Sequence, residues 1–144
     1  MPDAKRAMLT TEVFFYGLFM DAGVLDAKGV RGTGSRLGLV RGWALRIGRR
    51  ATIVPAPDEV VHGVVTTMSL CELERLYADR SVQIYRPVAV LVSEVAAGAA
   101  NVAALTYVLP APPAPEERNT DYAAKLRALA KRLGLPNDYT NSIA

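Results

Sequence analysis

The sequence predicts an α+β domain built on a small mixed, barrel-like β-sheet with flanking helices. Two observations lead to this prediction. Apolar, β-branched runs of strand length recur along most of the chain, and only a central and a C-terminal segment have helical periodicity. A chain of 144 residues can bury a substantial core, so we expect a single domain over residues 1–144.

The first predicted strand covers residues 12–19 and contains a Tyr16-Gly17 pair. Its run of Val, Phe and Tyr is typical of a buried strand. Gly17 lacks a Cβ, so the chain can turn sharply there and a small ligand can approach the backbone N–H groups. Such donors suit a carboxylate. The pattern therefore predicts a binding loop here, followed by a turn at residues 21–23.

The remaining strands are predicted from short apolar runs bounded by turn residues. They cover residues 37–40, 42–47, 51–54, 60–68, 85–95 and 102–108. Pro55-Ala56-Pro57-Asp58 is predicted to be a turn between two of them. Gly63 inside a Val-rich run indicates a bulge or the close approach of another backbone. Small residues at 96–101 predict a tight connection.

Two segments carry helix signals. Ser69 and Glu72 form a capping box, and apolar residues then recur at helical spacing up to Tyr77. A C-terminal helix is predicted over residues 119–135, with Asn119 or Thr120 as its cap and Gly134 near its end. The proline-rich stretch between the last strand and this helix, residues 109–118, is predicted to be an extended linker.

The charge pattern favours small anions over nucleic acid as ligands. The net charge is +3, and much of the excess lies in an arginine-rich segment over residues 31–50. This segment is either a solvated strand face or a field that attracts an anionic small molecule. Aromatic residues make up only 7% of the chain and Trp43 is the only one in this segment, so nucleic-acid binding is not expected.

The composition also predicts a cytoplasmic protein without a cofactor. One cysteine, Cys71, excludes an intrachain disulfide and suits a reducing compartment. No run approaches the roughly 20 apolar residues of a membrane-spanning helix, and the first eight residues do not resemble a secretory signal. With one histidine and one cysteine, a structural zinc site is not expected.

Four segments, in this order and spacing, resemble a known family: Phe14 to Met20, Gly42 to Leu45, Ala51 to Pro55 with Val61 to Val65, and Met68 to Tyr77 with Tyr85-Arg86. They are similar to the γ-glutamylcyclotransferase-like family, which includes plant AIG2-like proteins. The resemblance implies a barrel-like sheet and an enzyme that releases 5-oxoproline from a γ-glutamyl amine or peptide. In such enzymes the free α-amine attacks the γ-carbonyl.

The resemblance also implies a substrate site. The family's Tyr-Gly-x-Leu turn binds the glutamyl group through backbone N–H donors, which places substrate-binding residues at Tyr16, Gly17, Leu18 and Phe19. Leu18 stands where a Ser or Thr is usual, so a side-chain hydroxyl is lost. Two further substrate-binding candidates are Tyr85 and Arg86. A tyrosine of this kind also serves as a core residue, and an exposed arginine also forms surface ion pairs.

The catalytic carboxylate of the family is a glutamate shortly after the central helix. Ungapped alignment places Arg80 at that position, whereas a one-residue shift places Asp79 there, so Asp79 is the candidate catalytic base. The attacking amine must lose a proton and the leaving amine must gain one, which a carboxylate can mediate and an arginine cannot. Asp79 could alternatively be a loop acid paired with Arg80 or Arg86.

Three functions therefore compete at this point. The first is a cyclotransferase that uses Asp79. The second is a non-catalytic member of the same fold that binds a small acidic ligand or a protein partner. The third is a basic interaction module that uses residues 31–50. The sequence does not specify the oligomeric state.

Overall fold

Five strands close into a barrel in the computed structural model, which describes residues 9–96 and 100–144. The strands are β1 Thr10–Phe15, β2 Thr33–Ile47, β3 Ala51–Ser69, β4 Arg86–Glu94 and β5 Asn101–Val108. Their order around the barrel is β1-β3-β2-β4-β5. All pairs are antiparallel except β1 and β5, which pair in parallel at Val13 and Leu105. The predicted mixed, barrel-like sheet is confirmed.

The β2–β3 hairpin is longer and more continuous than predicted. Residues 37–40 and 42–47 belong to one strand, and residues 51–54 and 60–68 belong to another. The predicted turn at residues 55–58 is therefore wrong. The register shifts between Arg41 and Trp43, so that Val60 pairs with Arg41 while Pro55 pairs with Trp43. Because proline has no N–H to donate, Pro55 and Pro57 are tolerated in β3 near this irregularity. Gly42, at the shift in β2, adopts a φ of 87°.

The chain after β1 is helical, which the sequence did not predict. β1 ends at Phe15, Leu18–Met20 forms a 3₁₀ turn, and helix α1 covers Ala22–Ala27. The predicted strand over 12–19 is thus too long, and the predicted turn at 21–23 is the start of a helix that Asp21 caps through the Gly23 N–H (2.9 Å). Apolar residues in a short run are compatible with either structure, so the pattern could not locate this boundary.

The two predicted helices are present. Helix α2 covers Leu70–Tyr77, and the Ser69 hydroxyl accepts a hydrogen bond from the Glu72 N–H (3.1 Å). Helix α3 covers Thr120–Leu133, and Asn119 caps it through the Tyr122 N–H (3.1 Å). A further helix, α4 over Asn137–Ser142, was not predicted because its residues are mostly polar and form no apolar stripe. Part of the predicted connection 96–101 lies outside the described residues.

The core lies inside the barrel and between the barrel and helix α3. Phe14 and Val65 from the sheet and Leu126 from α3 have no more than 1% of their surface exposed. The linker over residues 109–118 lies against the β2–β3 hairpin, where the Leu109 N–H donates to the Thr52 hydroxyl (2.9 Å). Within residues 9–96 and 100–144, none of the helices is both long and apolar enough to cross a membrane.

Candidate functional site

A cavity of about 410 Å³ lies where β1 ends and the Tyr16-Gly17 turn begins. The lining residues come from distant parts of the chain. They are Phe14, Phe15, Tyr16, Gly17, Leu18, Phe19, Val24, Lys28, Arg49, Arg50, Ala51, Tyr77, Ser81, Val82, Tyr85, Tyr107 and Tyr122. The turn after β1, the β2–β3 hairpin, the end of α2, the end of β5 and the start of α3 therefore meet at one site.

Aromatic rings form one wall of this cavity. Tyr77 and Tyr107 stack with ring centroids 3.7 Å apart and an interplanar angle of 11°. Phe19 meets Tyr77 edge to face at 5.9 Å, and Tyr85 lies 6.5 Å from the ring of Tyr77. We call these four residues, Phe19, Tyr77, Tyr85 and Tyr107, the aromatic wall. Their mutual contacts restrict the rings and so give the cavity a defined apolar surface.

The tyrosine hydroxyls around the cavity stay protonated at neutral pH. Burial raises the pKa of Tyr16 well above its usual value, and burial raises the pKa of Tyr85 to about 12. The Tyr16 hydroxyl donates to the Tyr107 carbonyl oxygen (2.6 Å), and the Tyr85 hydroxyl donates to the Ala51 carbonyl oxygen (2.5 Å). These two phenols are hydrogen-bonded to the main chain, so they are not available as bases.

Tyr122 lies directly against the turn. Its hydroxyl oxygen accepts a hydrogen bond from the Leu18 N–H (3.3 Å). A Cβ placed on Gly17 would lie 2.5 Å from the same oxygen, which is closer than side-chain atoms can approach. The contact with Tyr122 therefore favours glycine at position 17, because a larger residue would force that side chain to shift. The Leu18 N–H, predicted as a ligand donor, already has a protein partner.

Three cationic side chains are among the described residues that line the cavity, and one of them, Arg49, is exposed to solvent. The Lys28 ammonium lies 3.4 Å from the Asp79 carboxylate and 6.0 Å from the centre of the Phe19 ring. Arg50 lines the cavity from the β2–β3 hairpin and forms no salt bridge with any described residue. Arg50 thus brings an uncompensated positive charge to a largely apolar site. An anion that enters the cavity would meet this charge.

Asp79 lies outside the lining of the cavity. It follows helix α2, and 45% of its side chain is exposed. The Ser81 hydroxyl (2.7 Å) and N–H (2.9 Å) donate to its carboxylate, and these hydrogen bonds, together with Lys28, lower its pKa to about 2. Both partners, Ser81 and Lys28, do line the cavity. A carboxylate with so low a pKa is a weak proton acceptor in this conformation.

The structure brings together most of the predicted substrate-binding residues. Tyr16, Gly17, Leu18, Phe19 and Tyr85 all line the cavity. Arg86 does not, because it is the exposed first residue of β4 and pairs with Val108 of β5. The role of each of these residues stays a prediction.

Several cavity residues were not predicted from the sequence, namely Lys28, Arg49, Arg50, Tyr77, Ser81, Tyr107 and Tyr122. Tyr77 was assigned to the apolar face of helix α2, and the arginines to a segment of general positive charge. Their convergence depends on the barrel topology, and local spacing carries no signal for it. In the described part of the chain no group of three or more His, Cys, Asp or Glu side chains could hold a metal ion.

Known structures share this fold at low sequence identity. A γ-glutamyl cyclotransferase is 20% identical, with a TM-score of 0.72 over 94% of this chain and 86% of that one. YkqA from Bacillus subtilis is 21% identical, with a TM-score of 0.77 over 96% of this chain and 54% of that one. An AIG2-like protein from Mus musculus is 16% identical, with a TM-score of 0.57 over 78% of this chain and 90% of that one.

A match to a protein-family model agrees with the structural comparisons. No curated protein sequence matches the chain. The model of the AIG2-like family matches residues 60–143, which is more than half of the chain and includes α2, the aromatic wall apart from Phe19, and α3. With its closed barrel and flanking helices, the chain belongs to the AIG2-like family and has the γ-glutamyl cyclotransferase-like fold.

Proposed function

We propose that this protein binds a small carboxylate-bearing molecule in the cavity beside the Tyr16-Gly17 turn without transforming it. One observation carries the proposal: among the described residues that line the cavity there are lysine, arginine and tyrosine side chains but no aspartate or glutamate. The electrostatic character of the cavity therefore favours an anion, and the side chains within it can bind one by charge and by hydrogen bonding.

Arg50 makes the main contribution to this binding. The Lys28 charge is compensated by Asp79, and Arg49 is exposed to solvent. Arg50 is partly buried and has no acidic partner in residues 9–96 and 100–144. A guanidinium pairs with a carboxylate through two parallel hydrogen bonds. Partial exclusion of water by the surrounding rings would strengthen that pair. We therefore assign the ligand carboxylate to Arg50.

Catalysis is disfavoured because the described residues that line the cavity include no carboxylate or other proton acceptor. Cyclisation of a γ-glutamyl compound requires a group that removes a proton from the α-amine and returns one to the leaving amine. Arginine stays protonated, and burial raises the pKa values of Tyr16, Tyr77 and Tyr122. None of these side chains can carry out that transfer at neutral pH.

Nuclear magnetic resonance titration would test this proposal. The probe is 5-(methylamino)-5-oxopentanoate, and the control ligand is the uncharged primary amide of the same molecule. We expect the carboxylate to shift the amide resonances of Gly17 and neighbouring residues and the uncharged amide to bind at least about tenfold more weakly. Equal binding of the two, or no binding of either, would contradict the proposal.

Three arginine variants identify which arginine binds the carboxylate of the ligand. Arg50→Gln should weaken binding of the carboxylate probe by about tenfold. Arg41→Gln is the matched control, because Arg41 lies elsewhere on β2 and its guanidinium donates to the Ser93 hydroxyl (2.9 Å). Arg86→Gln tests the arginine that the sequence alone favoured. A larger loss in Arg86→Gln than in Arg50→Gln would move the carboxylate away from the cavity.

A cyclotransferase that uses Asp79 is the second candidate function, and one contact favours it. Both groups that hold the Asp79 carboxylate, Ser81 and Lys28, line the cavity, so a change of side-chain rotamer could bring the carboxylate towards a bound amine. The test is release of 5-oxoproline from a panel of γ-glutamyl amines and dipeptides, with Asp79→Asn beside the native protein. Release that is lost in Asp79→Asn would establish this function and contradict binding without turnover.

A cytoplasmic location is part of the same proposal. Cys71 is a free, partly buried thiol and the chain has no other cysteine, which suits a reducing compartment. Fractionation of cells that produce the native chain would test this location, and recovery outside the cytoplasm would contradict it.

A further inference from the structure

We infer that the ligand of this cavity carries a ring-sized apolar group in addition to its carboxylate, and that this group lies on the aromatic wall. The inference rests on the proposed function, because it assumes that a carboxylate occupies the cavity. It adds the chemical class of the rest of the molecule. The class is an amphiphilic monocarboxylate with an aromatic or branched aliphatic tail.

The first argument is the direction of the tyrosine hydroxyls. A tyrosine-lined cavity is polar when its hydroxyls point inwards. Here Tyr16 and Tyr85 donate to the main-chain oxygens of Tyr107 and Ala51, so their polar ends are used by the protein. Burial of both side chains raises their pKa values and keeps the hydroxyls protonated. What these two residues offer a ligand is mainly the carbon surface of their rings.

The second argument is the incomplete burial of the apolar lining. Phe19, Tyr77 and Tyr107 pack against the core but are only partly buried, as are Leu18 and Val82. By contrast Phe14 and Phe15, which belong to the core and also line the cavity, are at most 3% exposed. Apolar surface that the protein leaves uncovered inside a cavity gains free energy when a ligand covers it.

The third argument compares the number of unpaired cationic side chains with the volume of the cavity. Arg50 can hold one carboxylate, and Lys28 is already paired with Asp79. Arg49 also lines the cavity without a salt bridge to a described residue, but it is exposed to solvent and its backbone N–H donates to the Glu117 carboxylate (3.0 Å). A cavity of about 410 Å³ is within the range of sites for whole organic molecules and much larger than a carboxylate needs. A second strongly charged group on the ligand would find no free partner on the aromatic wall. The remaining space therefore suits an uncharged, apolar tail.

A matched pair of ligands tests this inference. The two probes are 5-(methylamino)-5-oxopentanoate and 5-(benzylamino)-5-oxopentanoate, which share one carboxylate and one amide and differ in the methyl and benzyl groups. We expect the benzyl compound to bind at least about tenfold more tightly, because burial of the ring on apolar surface is favourable. The dissociation constants would be measured by resonance titration on the native chain.

A cavity-filling variant shows where the ring binds. Val82 lines the cavity, so Val82→Trp should reduce the preference for the benzyl compound to about threefold or less. The control is Ile84→Trp in the same segment, because Ile84 is 40% exposed and does not line the cavity. It should retain the native preference. Unfolding curves of both variants establish that they fold.

The outcomes separate the two proposals. Equal affinity for the two probes would overturn the apolar tail and leave carboxylate binding intact. Absence of binding by both would overturn the proposed function together with the inference. A benzyl preference that Val82→Trp leaves unchanged would overturn the assignment of the tail to the aromatic wall.

Discussion

Two arginines of the same hairpin, Arg36 and Arg50, have opposite surroundings. Arg36 on β2 lies between two glutamates: its Nη2 is 2.9 Å from the Glu12 carboxylate, and its Nε donates to the Glu94 carboxylate. These three side chains are 19–28% exposed. Arg50 stands between β2 and β3, lines the cavity and has no salt bridge among the described residues.

The difference separates a structural charge from a binding charge. Glu12, Arg36 and Glu94 come from three strands, so the attraction of the arginine for both glutamates links β1, β2 and β4. Removal of the central cation would leave two half-buried carboxylates close together, which is unfavourable. Arg50 pairs with no acidic group in the part of the chain that the structure describes, so its loss should cost the fold little. A charge that the fold does not use is available to a ligand.

The largest expected effect comes from removal of the structural charge. Arg36→Met should lower the free energy of unfolding by about 2 kcal/mol, between the values for exposed and buried ion pairs. Arg50→Met, the matched variant, should change it by less than about 0.5 kcal/mol. Urea unfolding at neutral pH measures both. Equal losses in the two variants would remove the distinction between the two arginines.

A smaller effect is expected at the turn that borders the cavity. Gly17→Ala should lower the free energy of unfolding by about 1 kcal/mol, because the added Cβ would lie too close to the Tyr122 hydroxyl. Tyr122→Phe removes that oxygen, together with its hydrogen bond from the Leu18 N–H, so Gly17→Ala should cost much less in the Tyr122→Phe background than in the native chain. A double-mutant cycle by thermal unfolding measures the coupling. Additive effects would show that Tyr122 is not what favours glycine at position 17.

His62, which lies outside the cavity, should make the stability of the fold depend on pH. The His62 ring lies 4.8 Å from the Tyr139 ring, and burial lowers the His62 pKa below its usual 6.5. The unfolded chain therefore binds a proton at His62 more readily than the folded chain does. As a result the free energy of unfolding should decrease as the pH falls below about 6.5, and it should level off below the pKa of His62 in the folded state. His62→Phe should remove this decrease. Thermal unfolding between pH 7.5 and 5 tests it, and an unchanged slope in His62→Phe would contradict it.

The smallest effect is expected from Asp79, which is exposed. Ser81 and Lys28 lower its pKa to about 2, so its contribution to stability is present above pH 4 and is lost as the pH falls towards 2. Asp79→Asn should slightly reduce the loss of unfolding free energy between pH 4 and pH 2. Ser81→Ala, which removes one of the hydrogen bonds to Asp79, should reduce this loss by a smaller amount. Chemical unfolding between pH 5 and 2.5 measures the change. A steeper acid loss in Asp79→Asn would contradict the assigned contacts.

Local patterns predicted most of the regular elements and one part of the site. The capping box at Ser69 and the polar cap at Asn119 locate α2 and α3 because capping depends on residues within one turn. β4 and β5 follow from short apolar runs bounded by turn residues. The Tyr16-Gly17 pair marked the turn at the cavity, because the absence of a Cβ is a property of the residue itself.

The sequence by itself determined the α+β class, the capped helices and the turn at Gly17, since each depends on neighbouring residues. Tertiary structure decided the continuous β2–β3 hairpin, the stacking of Tyr77 on Tyr107 and the contact between Tyr122 and Leu18. It also placed Asp79 outside the cavity and left Arg50 without an acidic partner in the described structure. Barrel closure brings together residues that are far apart in the chain, and periodicity within one segment carries no information about such pairings.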